Sequence, residues 1–285
     1  MNLIMEAAVA SIRCDGYELS YLGGHRQRYG RYGWEVTGTS TKMSFDAKNM
    51  AAVDVEGVCF APLPDKGADL ATAHRWHDAR AAYCQRSQDS FHPMLCNWEQ
   101  VPQAAYDASG RMMGYLSADK AGATINELVG ADAASAERLL AAWVRQQTGT
   151  VTLWLDRYEC DLTRRLGRFA QHTTIDTAGN WQIFDWQQTL DALWRVRCRQ
   201  APMPAGSIVL GVEGVSGNLS MAVEDGNAVC EKSDQPADLS TDAATMMRIL
   251  FGPVEPATVI SLAGRAEILH AWCPLPLALP GPDRV

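Results

Sequence analysis

Hydrophobic and polar residues recur with two different periods along the chain, and together they predict a mixed α/β protein. Apolar residues near the start, from Leu3 to Ile12, follow helical spacing, and Gly16 is a natural end for that helix. Residues 17–22 alternate as a half-buried strand does, and residues 35–45 are rich in strand-forming types. Between these two strands, residues 23–34 begin with two glycines and predict a short helix.

The middle of the chain predicts helices and strands in turn after a proline-rich linker at residues 61–67. Asp132 is a good N-cap for one of the helices, and residues 93–102 are expected to be irregular because two prolines bracket them. The predicted helices cover residues 69–88, 132–147, 158–169 and 191–199. The predicted strands cover residues 111–117 and 124–130, which form a pair, 151–155, and 173–175 and 181–184, which lie on either side of a turn.

The last third begins after a second proline-rich linker at residues 201–206. Three short strands joined by tight turns predict a meander over residues 208–230. A helix capped by Ser240 and ended by Gly252 follows, and a shorter helix is predicted at residues 256–262. The proline-rich tail from Trp272 onwards is expected to be extended.

Composition narrows the classes of function. The 285 residues carry a net charge of −8 with a pI near 5.3, which argues against nucleic acid as a partner. Eight scattered cysteines fit reduced thiols in the cytoplasm, and no run approaches the ~20 apolar residues that span a membrane. His74 and His77 share a helix face but lack a third ligand, so no metal site is predicted. A hydrolase is disfavoured because no Gly-x-Ser-x-Gly motif occurs.

One motif carries specific chemistry. The segment Tyr29-x-x-Tyr32-Gly33-Trp34 resembles the Tyr-x-x-Phe-Gly-Phe signature of GCN5-related N-acetyltransferases. The resemblance implies that Tyr29 lies near the sulfur of coenzyme A and protonates the departing thiolate. A thiol titrates near ~8.5 and a phenol near ~10, so a tyrosine can supply that proton at neutral pH. Gly24 and His25 are implied to contact the cofactor.

The order of elements along the whole chain resembles the Eis (enhanced intracellular survival) family of these acetyltransferases. Residues 1–61 then form the C-terminal part of the catalytic domain, residues 62–200 a degenerate acetyltransferase-like domain, and residues 201–285 a sterol-carrier-protein-like domain with a catalytic tail. The resemblance implies direct transfer from acetyl-CoA to a primary amine, of a small molecule or of lysine, in a ternary complex. It also implies that the carboxylate of Val285 is the base and that the subunits form homo-oligomers, as hexamers.

Two glycine patterns qualify the resemblance. In this family a Gly-rich loop that holds the pyrophosphate precedes a helix like the first one here, so the catalytic domain is expected to be truncated at its N-terminus. In the second domain one glycine, Gly130, precedes Asp132, which is a good helix cap and a poor neighbour for a phosphate. That domain is therefore expected to lack coenzyme A.

A function of another class competes with the acetyltransferase. The chain is alternatively a non-catalytic scaffold, or a protein that binds an apolar ligand through its sterol-carrier-like domain. The missing loop motivates this alternative. A stoichiometric lipid in a mass spectrum of the extracted protein would favour it over the enzyme.

Overall fold

The computed structural model describes residues 2–156 and 158–284, and it confirms the predicted mixed α/β class. Among the described residues no helix is long and apolar enough to cross a membrane. The helices are α1 Asn2–Cys14, α2 Arg26–Tyr29, α3 Ala68–Asp78, α4 Gln88–Leu95, α5 Ala133–Gln146, α6 Cys160–Gly167, α7 Trp186–Gln200, α8 Ala243–Phe251 and α9 Leu269–Trp272. The strands are β1 Leu19–Leu22, β2 Glu35–Val36, β3 Ser40–Phe45, β4 Cys59–Pro62, β5 Val101–Tyr106, β6 Met112–Ala118, β7 Thr124–Gly130, β8 Val151–Asp156, β9 His172–Asp176, β10 Asn180–Ile183, β11 Gly206–Val212, β12 Asn218–Glu224, β13 Asn227–Ser233 and β14 Leu239–Thr241.

The chain divides into two compact units, each assembled from separate stretches of sequence. Unit 1 contains Met1–Thr39 and Asp176–Ala278, and unit 2 contains Ser40–Ile175 and Leu279–Val285. Each unit therefore combines residues from more than one of the three predicted domains. The three-part division of the sequence stays a prediction.

Unit 1 contains two sheets. One has the order β1-β10-β2 with antiparallel pairs, and the other has the order β13-β12-β11-β14. In the second sheet β11, β12 and β13 form the predicted antiparallel meander, and β14 adds in parallel to β11. Its core includes the fully buried Trp194 and Trp272, whose rings meet edge to face with centroids 4.6 Å apart. Their indole N–H groups donate to backbone carbonyls, which lets these large side chains be buried without loss of hydrogen bonds.

Unit 2 is built on a seven-stranded sheet with the order β4-β5-β6-β7-β8-β3-β9. Strands β7 and β8 run parallel because α5 connects them, and α5 buries Leu139, Leu140 and Val144 in the core. The β7–β8 ladder pairs Thr124 with Thr152 and Ile125 with Leu153. Beyond those pairs the described strands continue without a shared ladder. They therefore separate towards their carboxyl ends, where the first turn of α5 lies.

Two strands lie in sheets that their position in the sequence does not indicate. Strand β3 pairs with β8 in unit 2, and β10 lies between β1 and β2 in unit 1. The two strands predicted at residues 173–175 and 181–184 are present as β9 and β10, but they belong to different sheets and do not form a hairpin. Four residues of β10 pair with β1, and Trp181 packs edge to face on Tyr21. These long-range contacts favour the observed pairing over the local hairpin.

The helix predicted at residues 69–88 is present but shorter, because α3 ends at Asp78 and a new helix begins at Gln88. The side chain of Ser87 accepts a hydrogen bond from the Ser90 backbone N–H and caps α4. The ring nitrogens of His74 and His77 lie 2.9 Å from backbone carbonyl oxygens of the intervening loop. These bonds stabilise a loop that helical periodicity does not reveal.

Four smaller predictions fail for local reasons. Pro93 lies inside α4 rather than in an irregular stretch. Asp242, not Ser240, caps α8, because its carboxylate accepts from the Thr245 backbone N–H and Ser240 belongs to β14. The predicted helix at 256–262 is a single 3₁₀ turn, Pro256–Thr258, and the tail is not extended throughout, since Gly281–Asp283 forms another.

Candidate functional site

The Tyr29 motif is a tight turn between β1 and β2. A positive φ of 106° at Gly24 and an extended His25 lead into α2, and a 3₁₀ turn at Gly30–Tyr32 follows. Gly33 ends that turn with φ 101°, and a Cβ there would lie 2.5 Å from Nε2 of Gln182. Only glycine tolerates both this positive φ and the close approach of Gln182. The predicted order of strand, glycine break, short helix and strand is thus observed. We call residues 23–34 the Tyr29 turn.

The structure brings Tyr29 and Gly24 together. A Cβ built on Gly24 would lie 3.3 Å from Cε2 and 3.8 Å from the hydroxyl oxygen of Tyr29. Asn180 donates through Nδ2 to the carbonyl oxygens of Leu22, at 3.1 Å, and of Gly24, at 2.8 Å. The half-buried phenol therefore packs against a backbone turn that a distant strand holds. His25 is exposed at the start of α2, and its side chain makes no capping hydrogen bond there.

Four buried polar atoms at the end of the Tyr29 turn and on the neighbouring strand β10 have no hydrogen-bond partner among the described residues. They are Nε1 of Trp34, Oδ1 of Asn180, Nε1 of Trp181 and Oε1 of Gln182. These residues are at most 8% exposed. Since buried polar atoms are usually paired, this sheet offers two donors and two acceptors to water or a ligand. Sequence reasoning did not single out Asn180 or Gln182, because more than 140 residues separate them from the turn.

An ion pair ties α2 to β2. Nη2 of Arg26 donates to Oε2 of Glu35 at 2.9 Å, and the hydrogen bond and charge of that carboxylate raise the pKa of Arg26. Glu35 is buried, while the Arg26 side chain is 57% exposed. Solvent therefore screens much of the attraction, and the pair orients the turn more than it stabilises it.

The proposed base, Val285, lies outside the described residues. The residues just before it are held in unit 2, whereas Tyr29 belongs to unit 1. Asp283 accepts two hydrogen bonds from Arg86, at 2.8 and 2.7 Å. Nε1 of Trp98 donates to the carbonyl oxygen of Arg284 at 2.5 Å. These contacts anchor the end of the chain.

The anchor is part of a buried ionic network in unit 2. Arg86 donates to both oxygens of Glu127, at 3.0 and 2.7 Å, and the Tyr115 hydroxyl donates to the same carboxylate at 2.7 Å. Burial opposes ionisation of Glu127, but His77, with Nδ1 3.6 Å away, and the guanidinium groups of Arg86 and Arg80 outweigh it and lower its pKa. Sequence reasoning missed this network, because periodicity does not show which buried positions carry opposite charges.

A cavity of about 310 Å³ opens in unit 2 where β7 and β8 separate. We call it the crevice. It is bounded by the end of β7, the start of α5, the end of α3 and the start of α6, and its lining includes Trp76, Arg80, Leu128, Val129, Gly130, Asp132, Tyr158, Glu159, Cys160 and Asp161. Asp132 caps α5 as predicted, since Oδ1 accepts from the Ser135 backbone N–H at 2.6 Å. The hydrogen bonds from Ser135 lower the pKa of Asp132.

Comparison with solved structures defines the class of fold. The chain is similar to a GCN5-related N-acetyltransferase from Kribbella flavida at 18% identity, covering 98% of this chain and 73% of that one with a TM-score of 0.65. A second GCN5-related N-acetyltransferase, from Anabaena variabilis, gives 16% identity, coverage of 97% and 74% and a TM-score of 0.64. Both likenesses extend over nearly the whole chain. The fold is therefore that of structures named as GCN5-related N-acetyltransferases.

A more particular neighbour is Eis1 from Mycobacterium abscessus. It gives 12% identity, coverage of 97% of this chain and 76% of that one, and a TM-score of 0.61. At such identities the likeness concerns the fold alone. No protein-family model matches the chain, and no curated protein matches it.

Proposed function

We propose that the protein is an N-acyltransferase that moves the acetyl group of acetyl-CoA to a primary amine by direct attack in a ternary complex. The observation that carries the proposal is the Tyr29 turn, with Gly33 at the glycine of the signature and Gly24 against the Tyr29 ring, within a chain that shares its fold with N-acetyltransferases over 97–98% of its length. The amine belongs to a small molecule or to a lysine side chain.

The chemistry assigns each group a task. The neutral amine attacks the thioester carbonyl carbon, the new C–N bond forms, and the C–S bond breaks as the tetrahedral intermediate collapses. The phenol of Tyr29 gives its proton to the departing sulfur, so coenzyme A leaves as a thiol. The amine nitrogen must lose one proton, and we assign its removal to the terminal carboxylate of Val285. Proton transfer by a positioned side chain contributes roughly 10²–10⁴-fold to a rate.

Gly24 and His25 are assigned to the cofactor. Gly24 lacks a side chain, and its backbone is held by Asn180 next to the Tyr29 ring, which supports a close approach of the thioester to this turn. His25 is exposed beside it. The two unpartnered buried donors are the indole N–H groups of Trp34, just before β2, and of Trp181, on the neighbouring strand β10. They support the presence of a polar ligand or water there.

The finer parts of the proposal concern type and assembly. We assign the chain to the Eis type, with a cytoplasmic location and a homo-oligomeric, hexameric state. The meander of β11–β13 followed by α8 supports a sterol-carrier-like fold for the last part of the chain. Sedimentation of the purified protein tests the assembly, with a hexamer as the expected species.

Tyr29→Phe tests the catalytic role and has the largest effect we expect. Acetyl-CoA binding is measured by titration calorimetry, and acetyl transfer to a panel of primary amines by release of the free thiol. The variant should bind acetyl-CoA within about twofold of the native chain while kcat falls roughly 10²–10⁴-fold.

Tyr17→Phe is the matched control, because Tyr17 also lies in unit 1 and is 58% exposed. Its kcat should be unchanged. Failure of the native chain to bind acetyl-CoA would overturn the proposal. Full activity of Tyr29→Phe would remove Tyr29 as the acid.

A further inference from the structure

The crevice of unit 2 lies in a region to which the acetyl transfer assigns no role. We propose that it is a separate binding site for a small organic cation, a primary aliphatic amine that carries a hydrogen-bond acceptor. Its volume of about 310 Å³ is at the lower end of the range for small-molecule pockets, which suits a ligand of this size. The proposal rests on unit 2 alone and does not depend on Tyr29.

The charges of the lining favour a cation. The lining includes three acidic residues, Asp132, Glu159 and Asp161, and one arginine, Arg80. Arg80 and Glu159 neutralise each other, because Nε of Arg80 donates to Glu159 at 2.6 Å, and Nη2 of Arg80 also lies 3.3 Å from Asp156. The charges of Asp132 and Asp161 remain. A bound ligand therefore meets an excess of negative charge. Arg164, which pairs with Asp161, weakens this excess little, since both side chains are more than 70% exposed.

The start of α5 disfavours an anion. A helix N-terminus attracts anions through its free N–H groups, but here the carboxylate of Asp132 already accepts from the Ser135 N–H. The preceding backbone is packed against the helix as well. A Cβ on Gly130 would lie 2.5 Å from the Ala136 nitrogen, so this turn leaves no cradle for a phosphate. The carboxylate of Asp132 thus occupies the position at the N-terminus of α5 that a bound anion would take.

The rest of the wall suits an alkyl chain with a polar end. Trp76, Leu128 and Val129 offer apolar surface, and the half-buried indole of Trp76 also attracts a cation through its π face. The Arg80 side chain is only 9% exposed, and its Nη1, which lies 4.0 Å from Oε2 of Glu127, makes no hydrogen bond in the described parts of the chain. An acceptor on the ligand, such as a hydroxyl oxygen, would satisfy that donor.

The gap between β7 and β8 is filled where the tail borders it. The space lined by Asn126, Asp156 and Pro280 measures only about 10 Å³, and Gly281 packs against Asn126. Such a volume holds at most about one water. Beside the tail there is thus no room for a ligand, whereas the larger cavity lies next to the start of α5.

Titration calorimetry with 5-amino-1-pentanol on the full chain tests the proposal. Two probes of the same length separate charge from shape: 1,5-pentanediol is neutral, and 5-hydroxypentanoate is anionic. The aminoalcohol should bind saturably, and the other two at least about tenfold more weakly, because they lack the cation that the carboxylates attract. Equal or tighter binding of 5-hydroxypentanoate, or no binding of the amine at millimolar concentration, would overturn the assignment.

Asp132→Asn removes the charge while keeping a good N-cap, so the helix is expected to persist. It should weaken binding of the amine about fivefold, the effect of one partly exposed charge pair. Asp242→Asn makes the same change at the N-cap of α8 in unit 1 and should leave the affinity unchanged. Asp161→Asn is a second crevice variant, and it should fold because the Asp161 side chain is 81% exposed. Affinity unchanged in both crevice variants would place the amine elsewhere and refute the site.

Discussion

The Tyr29 turn in unit 1 and the entrance to α5 in unit 2 follow a similar path with opposite chemistry. In each, a glycine lies at the end of a strand or directly after it, and a helix begins three residues after that glycine. At the Tyr29 turn the residue before the helix, His25, makes no capping bond, and the nearby groups are a phenol, amides and indoles. At α5 the corresponding residue is Asp132, which caps the helix and brings a carboxylate to the crevice.

The comparison teaches that the backbone path does not determine which ligand a strand-to-helix turn accepts. The N-cap residue decides whether a negative charge is already present. The neighbouring side chains also determine which ligand is favoured. Neutral polar atoms without hydrogen-bond partners lie beside the Tyr29 turn, whereas carboxylates outnumber guanidinium groups around the crevice. Three substitutions test how far each region depends on these groups.

Arg86→Met should cause the largest loss of stability, because it removes both hydrogen bonds to the buried Asp283 and leaves the buried Glu127 with only the more distant guanidinium of Arg80, 4.0 Å away. Breaking a buried pair in this way costs about 3–5 kcal/mol in free energy of unfolding. Urea denaturation measures it. Arg164→Met is the control, since its pair with Asp161 is exposed and contributes at most about 1 kcal/mol. If the two variants lose the same small amount, the network behind the crevice does not stabilise unit 2.

Gly33→Ala should have an intermediate effect. A residue with a Cβ is strained at φ 101°, and the new atom would meet Gln182, so we expect a loss of about 1–3 kcal/mol. Denaturant midpoints give the value, and thiol release should show a parallel fall in kcat as Tyr29 shifts. Gly149→Ala is a suitable comparison because no atom lies near the added Cβ. A stable and active Gly33→Ala protein would contradict the role given to this turn.

Asp132→Ala should have the smallest effect, about 1 kcal/mol, which is the usual contribution of an N-cap. Asp132→Asn should restore most of it. The folded state lowers the pKa of Asp132, so its contribution is present above the unfolded value of about 3.9 and is lost as the pH falls further. The native and alanine proteins should therefore converge in stability at low pH. Coenzyme A affinity should not change, and a change would place the cofactor at α5 instead.

Much of the local structure could be predicted from the sequence, since it depends on neighbouring residues. Helical spacing before Gly16, the glycines of the Tyr29 turn and the Asp132 cap all act within a few residues, and the structure contains each of them. The loop after α3 was not predictable in this way. His74 and His77 hold it through bonds to carbonyl groups that only the folded loop presents.

The sequence by itself determined the mixed α/β class, the meander of β11–β13 and the turn that carries Tyr29. Only the tertiary structure decided that β3 and β10 pair in sheets far from their sequence neighbours, that Asn180 holds the turn, and that Arg86 joins Glu127 to Asp283. The physical reason is the range of the forces. Capping, turn geometry and periodicity act between residues close in the chain, whereas strand pairing and buried charge compensation depend on which distant segments meet.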